Sequence, residues 1–253
     1  MTLPSAFYTQ PIAHRGLHDL GAGRPENSPA AFEAAISRGY GIELDVQLTR
    51  DGAAVVFHDY ALDRLTNEKG AVRLLDAAEL GRMTLKGGND KIPTLEAVLD
   101  QIAGRAPVLV EIKDQDGAMG DDLGPLERAT AQALRGYRGD VAVMSFNPHA
   151  VGRMAELIPE VPRGSVTSAY RYDDWPLPKA TCDRLREIPD YDATGASFIS
   201  HEVDDLARDR VAQLRRQGAM VCCWTVRSLE AEMSAREFAD NITFEGYAAP
   251  LSS

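Results

Sequence analysis

Along the chain, short apolar runs rich in β-branched residues alternate with longer stretches whose apolar positions recur every three to four residues. The first pattern suits strands buried on both faces, the second helices with one apolar stripe. Runs 11–14, 41–46, 108–112, 141–145, 163–167, 196–200, 220–225 and 241–244 read as strands. Stretches 29–38, 94–102, 126–134, 148–157, 204–217 and 229–238 read as helices between them. The first helix has its start marked by Asn27-Ser28-Pro29 and its end by Gly39. Prolines 176, 178 and 189 leave room for only a short helix between 171 and 192.

A further extended run, 54–58, follows residue 49 after only Arg50-Asp51-Gly52 and its flanks. A parallel crossover needs a dozen residues or more, so these two runs must form an antiparallel hairpin. Eight parallel strands remain, alternating with helices, and eight such units close a TIM (β/α)₈ barrel. The hairpin then rises from the end of the second strand, on the face where barrel active sites are built. A turn centred on Asp51 sets His58 opposite Leu44. The connection 59–92 is long for a compact domain, which marks a functional excursion. Nine residues follow the last strand, too few for a closing eighth helix.

Length and composition fit this picture. The chain has 253 residues, 44 % hydrophobic and 26 % charged, which suits one barrel domain over 1–253. A formal net charge of −11 argues against a nucleic-acid surface, yet leaves room for a small anionic substrate in a locally cationic cleft. The three cysteines, Cys182, Cys222 and Cys223, form no C-x-x-C pair and no disulfide framework. The N-terminal residues lack the pattern of a signal peptide, and no apolar run reaches 18 residues. The expected location is therefore the cytoplasm, without stable membrane anchoring.

Chemistry gathers at the strand ends. Glu43 and Asp45 are two apart, so they share one face of their strand, and Glu111 and Lys113 repeat the spacing. Carboxylates crowded into a barrel repel one another, and a divalent cation relieves that; all-oxygen donors favour Mg²⁺ or Ca²⁺. Ordinary ion pairs with Arg15 and Lys113 would serve as well. His14 ends the first strand and His58 the hairpin, so two imidazoles converge beside the carboxylates, placed for proton transfer near neutral pH. His201, after the run 196–199, either lines the pocket mouth or begins the next loop.

The ordered motifs AHRG at 13–16, PENS at 25–28, ELDVQLTRDG at 43–52, VVFHD at 55–59, IPTLEAVLD at 92–100, VEIK at 110–113 and WTV at 224–226 resemble the glycerophosphodiester phosphodiesterase family over nearly the whole chain. The resemblance implies a TIM-like barrel that hydrolyses glycerophosphodiesters to glycerol 3-phosphate and an alcohol. It implies Glu43, Asp45 and Glu111 as metal ligands, with Glu26 lining the same site. His14 and His58 match the acid–base pair, with His14 read as first base. Arg15 and Lys113 match the phosphate-contacting cations, and Trp224 the aromatic floor under the glycerol, where core packing is the other reading. The implied route runs through a cyclic phosphate. A phospholipase D-type enzyme acting on lysophospholipids or sphingolipids, and a non-catalytic phosphodiester-binding barrel, are the alternatives. Where the family often carries Thr-Asp-x-Pro on its last strand, this chain reads Thr243-Phe244-Glu245-Gly246, which opens the question whether Glu245 substitutes for that Asp. The 59–92 connection is the short version of a segment that carries a large insertion in some members, so loose selectivity for the alcohol is expected.

Overall fold

The computed structural model describes residues 2–251. Its strands are β1 (Ile12–Ala13), β2 (Gly41–Leu48), β3 (Ala54–Val56), β4 (Val108–Ile112), β5 (Val141–Ser145), β6 (Arg163–Thr167), β7 (Phe198–Glu202), β8 (Met220–Val226) and β9 (Asn241–Phe244). All but β3 pair in parallel, and β1 bonds to both β2 and β9, which closes an eight-stranded barrel. The helices are α1 (Ala6–Thr9), α2 (Pro29–Ser37), α3 (Ala77–Leu80), α4 (Leu95–Ile102), α5 (Pro125–Leu134), α6 (Pro148–Leu157), α7 (Lys179–Arg186), α8 (Asp209–Arg216) and α9 (Leu229–Ala235). All but α1 lie between consecutive barrel strands, as the alternating pattern requires, with α3 an addition within the excursion after β3. Ser28 caps α2 by accepting from the Ala31 amide, with Pro29 in the first turn.

Strand alternation sorts the side chains into two apolar layers. Ile42, Leu44 and Val46 of β2 and Val108, Val110 and Ile112 of β4 pack outward against the helices. Leu109, Met144, Val166, Phe198 and Cys222 fill the barrel. At Gly164 a Cβ would lie 2.5 Å from the Phe198 ring, so only glycine fits opposite that phenyl group. The unanticipated α1 contributes Phe7 to the same interior cluster, and Asn241 Nδ2 donates to the Phe7 and Gln10 carbonyls.

The hairpin has the expected register, Val46 opposite Val56 and Leu48 opposite Ala54, which sets His58 across from Leu44. It exists because β1 is so short. Carbonyls two residues apart on a strand point to the same edge. The Glu43 carbonyl takes the Gly16 amide, and that of Asp45 takes the Phe57 amide. Thus β3 occupies the edge of β2 that β1 vacates when the chain turns at Arg15 (φ 55°) and Gly16 (φ 77°). A Cβ on Gly16 would sit 2.9 Å from Ala31 Cβ, so the turn fits under α2 only as glycine.

The 59–92 excursion folds back on the hairpin. Leu62, Leu65, Val72, Leu80, Leu85 and Ile92 bury themselves against Val55 and Phe57. Several boundaries differ from the sequence pattern by a few residues, two of them near His201. Stretch 204–217 divides into a 3-10 turn, Val203–Asp205, and α8, and β7 begins two residues later than expected. Both faces of β7 are buried, so alternation leaves no marker of where it starts. Among the described residues, no helix is long and apolar enough to cross a membrane.

Candidate active site

Because the even positions of β2 face the helices, Glu43 and Asp45 face the barrel interior. Asp45 pairs in register with Glu111 on β4, so the third carboxylate stands level with the second. One oxygen from each lies within 4.8 Å of the others, and all three groups are buried. Burial, reinforced by Asp45 and Glu111, raises the Glu43 pKa well above the usual carboxylate range. Burial opposes the charge of Asp45 too, but Lys113, His58 and Arg15 outweigh it and hold that carboxyl below its ordinary value. Lys113 Nζ sits between Asp45 Oδ1 at 2.7 Å and Glu111 Oε1 at 2.6 Å. Burial alone would discharge this ammonium, yet the two carboxylates raise its pKa instead. Asn27, in the left-handed region at φ 55°, donates from Nδ2 to Asp45 Oδ2 at 2.8 Å.

The cluster could hold a hard divalent ion. Its donors are carboxylate oxygens alone, and Glu43 Oε1 is buried with no hydrogen-bond partner. Such an orphan is expensive unless a cation or a proton meets it.

Each histidine is oriented by a carboxylate. His14 Nδ1 lies 2.6 Å from Glu245 Oε2, and His58 Nδ1 lies 2.7 Å from Asp59 Oδ1. A carboxylate at Nδ1 draws the neutral ring's proton there and leaves Nε2 as the exchangeable position. Burial lowers the pKa of His14, against the pull of Glu245. Glu245 is therefore the partner of His14, at the end of β9. It is held in turn by Arg227, whose Nε donates to Oε1 at 2.8 Å. Asp59 is held likewise by Arg64, 2.7 Å from Oδ2.

Arg15 donates its backbone amide to Glu43 Oε2 at 2.9 Å and its side chain to Glu26 Oε1 at 2.7 Å. Glu26 also takes both terminal nitrogens of Arg64, so its carboxylate stands behind Arg15 and is absent from the cavity lining. The cavity is about 170 Å³. His14, Arg15, Glu43, His58, Glu111 and Lys113 form its charged side, and Met144, Phe146, Val166 and Trp224 its apolar side. Trp224 is fixed by an Nε1–H bond to the Ser200 carbonyl and by an edge-on contact with Phe146. It is part of the cavity wall, not only of the core.

His201 does neither of the things expected of it. It lies inside β7 with its ring turned outward, fully buried, between Thr167 Oγ1 at 2.8 Å and Asp205 Oδ2 at 3.2 Å. The two-residue shift of β7 moves it from the strand's end into its outward-facing set. The sequence pattern assigned no place in the site to Asn27, Asp59, Arg64 or Phe146. Asn27 and Asp59 stand inside motifs already singled out. Phe146 continues the inward alternation of Ala142 and Met144, whereas nothing local marks Arg64.

The profile of the Glycerophosphoryl diester phosphodiesterase family matches residues 14–239. A glycerophosphodiester phosphodiesterase of Bacillus subtilis is 28 % identical over 240 residues, covering 88 % of this chain and 78 % of its own. One from Caldanaerobacter subterraneus is 34 % identical over 174 residues, covering 65 % and 69 %. Among solved structures, an Oleispira antarctica phosphodiesterase in complex with the product sn-glycerol-3-phosphate superposes with a TM-score of 0.75 at 24 % identity, covering 96 % of this chain and 93 % of that one. With the matched profile spanning both histidines, all three clustered carboxylates and the six barrel strands from β2 to β8, the outer β3 aside, this chain belongs to the glycerophosphoryl diester phosphodiesterase family.

Proposed function

We propose that this phosphoric diester hydrolase cleaves water-soluble glycerophosphodiesters to glycerol 3-phosphate and an alcohol, in the cytoplasm, using a divalent ion held by Glu43, Asp45 and Glu111. The observation that carries the reading is the meeting, in one cavity, of two carboxylate-oriented histidines with that acidic cluster. Mg²⁺ or Ca²⁺ suits the all-oxygen donor set, and when bound it supplies positive charge to the phosphate oxygens. Arg15 and Lys113 contact the remaining non-bridging oxygens, which carry the charge that grows in the transition state. Lys113 is paired with Asp45 and Glu111 in the free protein, so its ammonium is held ready beside the phosphate position. Glu26 serves the substrate indirectly, by holding Arg15.

His14 Nε2 removes the proton from the glycerol 2-hydroxyl, whose oxygen forms a bond to phosphorus. His58 Nε2 gives its proton to the departing alkoxide as the phosphorus–alcohol bond breaks, leaving a cyclic phosphate. Water then opens the ring with the histidine roles exchanged. The glycerol carbons lie against Trp224 on the apolar side. Most apolar residues of 59–92 are used up in their own small core, with only Tyr60 and Leu74 left exposed among the large ones, which favours a soluble substrate over one presented in a bilayer.

The test is hydrolysis of a panel of glycerophosphodiesters, with EDTA and with each metal added back. Glycerol 3-phosphate should be released from several head groups, cease in chelator, and return with Mg²⁺ or Ca²⁺. Full turnover by protein stripped of metal would overturn the metal assignment, and failure on every member of the panel would overturn the substrate.

A further inference from the structure

A second cluster stands against the catalytic one with different chemistry. One ring nitrogen each of His14 and His18 and a Glu245 oxygen all lie within 4.8 Å of one another. Glu245 Oε2 is 2.6 Å from His14 Nδ1 and 3.4 Å from His18 Nε2. The turn at Arg15 and Gly16 brings the two imidazoles together, with His18 amide donating to the Gly16 carbonyl, and β9 brings the carboxylate. The three side chains are 14 %, 24 % and 20 % exposed, so an ion can enter without unfolding. His18 also lines an outer groove with Leu17, Arg24 and Tyr247, which offers an approach apart from the phosphodiester cavity.

We propose that His14, His18 and Glu245 form a transition-metal site, and that Zn²⁺ bound there arrests the reaction by taking Nδ1 of His14. Two imidazole nitrogens and one carboxylate are a donor set for zinc-like ions, whereas the all-oxygen cluster of Glu43, Asp45 and Glu111 suits Mg²⁺ or Ca²⁺. Three protein ligands leave the remaining positions to water. Opposing charge comes from Arg227, 2.8 Å from Glu245 Oε1, and from Arg15 near His14. Arg227 engages the oxygen that does not face the histidines, so it fixes the carboxylate without occupying the ligand position.

The arrest follows from the imidazole's proton. Binding at Nδ1 displaces the proton shared with Glu245 to solvent. A neutral ring ligating through Nδ1 carries its one remaining proton on Nε2. That nitrogen then has no lone pair to accept a proton from the glycerol hydroxyl. This second half of the inference rests on the reading of His14 as the base; the existence of the site does not.

The experiment uses the whole protein in saturating Mg²⁺, titrated with Zn²⁺ by calorimetry and with Co²⁺ by visible absorption, while turnover is followed in parallel. Wild type should bind one Zn²⁺ that Mg²⁺ does not displace, show a Co²⁺ ligand-field band, and lose activity as the site fills. His18→Ala and His18→Gln should keep their zinc-free turnover, yet bind and respond to Zn²⁺ about tenfold or more weakly, as expected for loss of a ligand. No zinc uptake by the wild type, or equal uptake and inhibition in both variants, would overturn the site. Uptake that depends on His18 but leaves turnover intact would uphold the site and overturn the assignment of His14 as base. The binding measurements hold whether or not the panel substrates are cleaved, so failure of the proposed reaction would be read separately.

Discussion

Glu43→Gln exchanges a carboxylate for an amide of the same shape at the most crowded point of the acidic cluster. The amide oxygen can keep the bond from the Arg15 backbone, and the new amide group replaces a charge that stands within 4.8 Å of the Asp45 and Glu111 carboxylates. At an effective dielectric constant of about 20, two like charges 4.8 Å apart repel by about 3.5 kcal/mol. An ionised Glu43 would face two such neighbours, with Arg15 and Lys113 offsetting much of the repulsion, and holding the proton instead costs stability wherever the unfolded chain would release it. The metal-free variant should therefore be more stable than wild type at pH 8 by about 1–3 kcal/mol, raising Tm by about 2–10 °C for a chain of this size. The pH dependence is fixed in sign. Below about pH 4.3 both folded and unfolded wild type hold the Glu43 proton, and the group contributes nothing. Above it the unfolded chain releases the proton, while burial makes the folded protein keep it, so wild type loses stability as pH rises. The variant lacks this loss, and its advantage should grow as pH rises above about 4.3 and level off once the folded carboxyl ionises too. Thermal unfolding in EDTA across that range measures it directly. Added metal should then reverse the order, since ligand at about one hundred times Kd stabilises wild type by about 2.7 kcal/mol and the variant far less. A variant no more stable than wild type at pH 8 in EDTA, or an advantage that shrinks with pH, would refute the reasoning.

Further outcomes follow from the same geometry. His14→Ala and His58→Ala should each lower kcat by about 10²–10⁴-fold with little change in Tm; near wild-type turnover in either would make that histidine structural. Trp224→Ala should raise KM for glycerophosphodiesters more than it lowers kcat, as the apolar wall binds substrate and transition state alike. His201→Ala should leave KM unchanged across the panel and instead destabilise the fold by about 2–4 kcal/mol, measured by denaturant unfolding, because it empties a buried site and strands Thr167 and Asp205.

The barrel was legible because parallel strands buried on both faces announce themselves as unbroken apolar runs. The three-residue turn at Arg50-Asp51-Gly52 excluded a crossover, and that exclusion alone placed His58 opposite Leu44. Side-chain direction was legible wherever a strand's facing was anchored. Glu43 and Asp45 alternate with three outward aliphatics, so their inward aim was fixed once β2 was recognised. In β7 no polar face supplied such an anchor, and the misplaced boundaries left His201 beyond the strand's end when it lies inside it. Contacts between distant segments lay beyond reach. Arg64 meets Glu26 across 38 positions, and His14 meets Glu245 across 231. Neither pair leaves a local pattern, and α1, only four residues long, shows no period at all.

The two histidines share a construction that bears on the proposed reaction. Each Nδ1 faces a carboxylate, at 2.6 Å for His14 and 2.7 Å for His58, and each carboxylate is pinned by an arginine, Arg227 or Arg64. The parts come from unrelated segments, β9 and the loop after β8 in one case and the 59–92 excursion in the other. A reaction in which one residue is always base and the other always acid gains from environments that push their proton affinities apart. A reaction in two halves, with the roles exchanged at a cyclic intermediate, gains from rings that are held alike, because each must give a proton in one half and take it back in the other. The matched carboxylate–arginine supports suit the second case. Exchanging one carboxylate for its amide, Glu245→Gln or Asp59→Asn, should therefore impair both halves, slowing formation of the cyclic phosphate and its opening together. Accumulation of cyclic phosphate in only one variant, followed by phosphorus NMR, would show instead that the two histidines divide the work unequally.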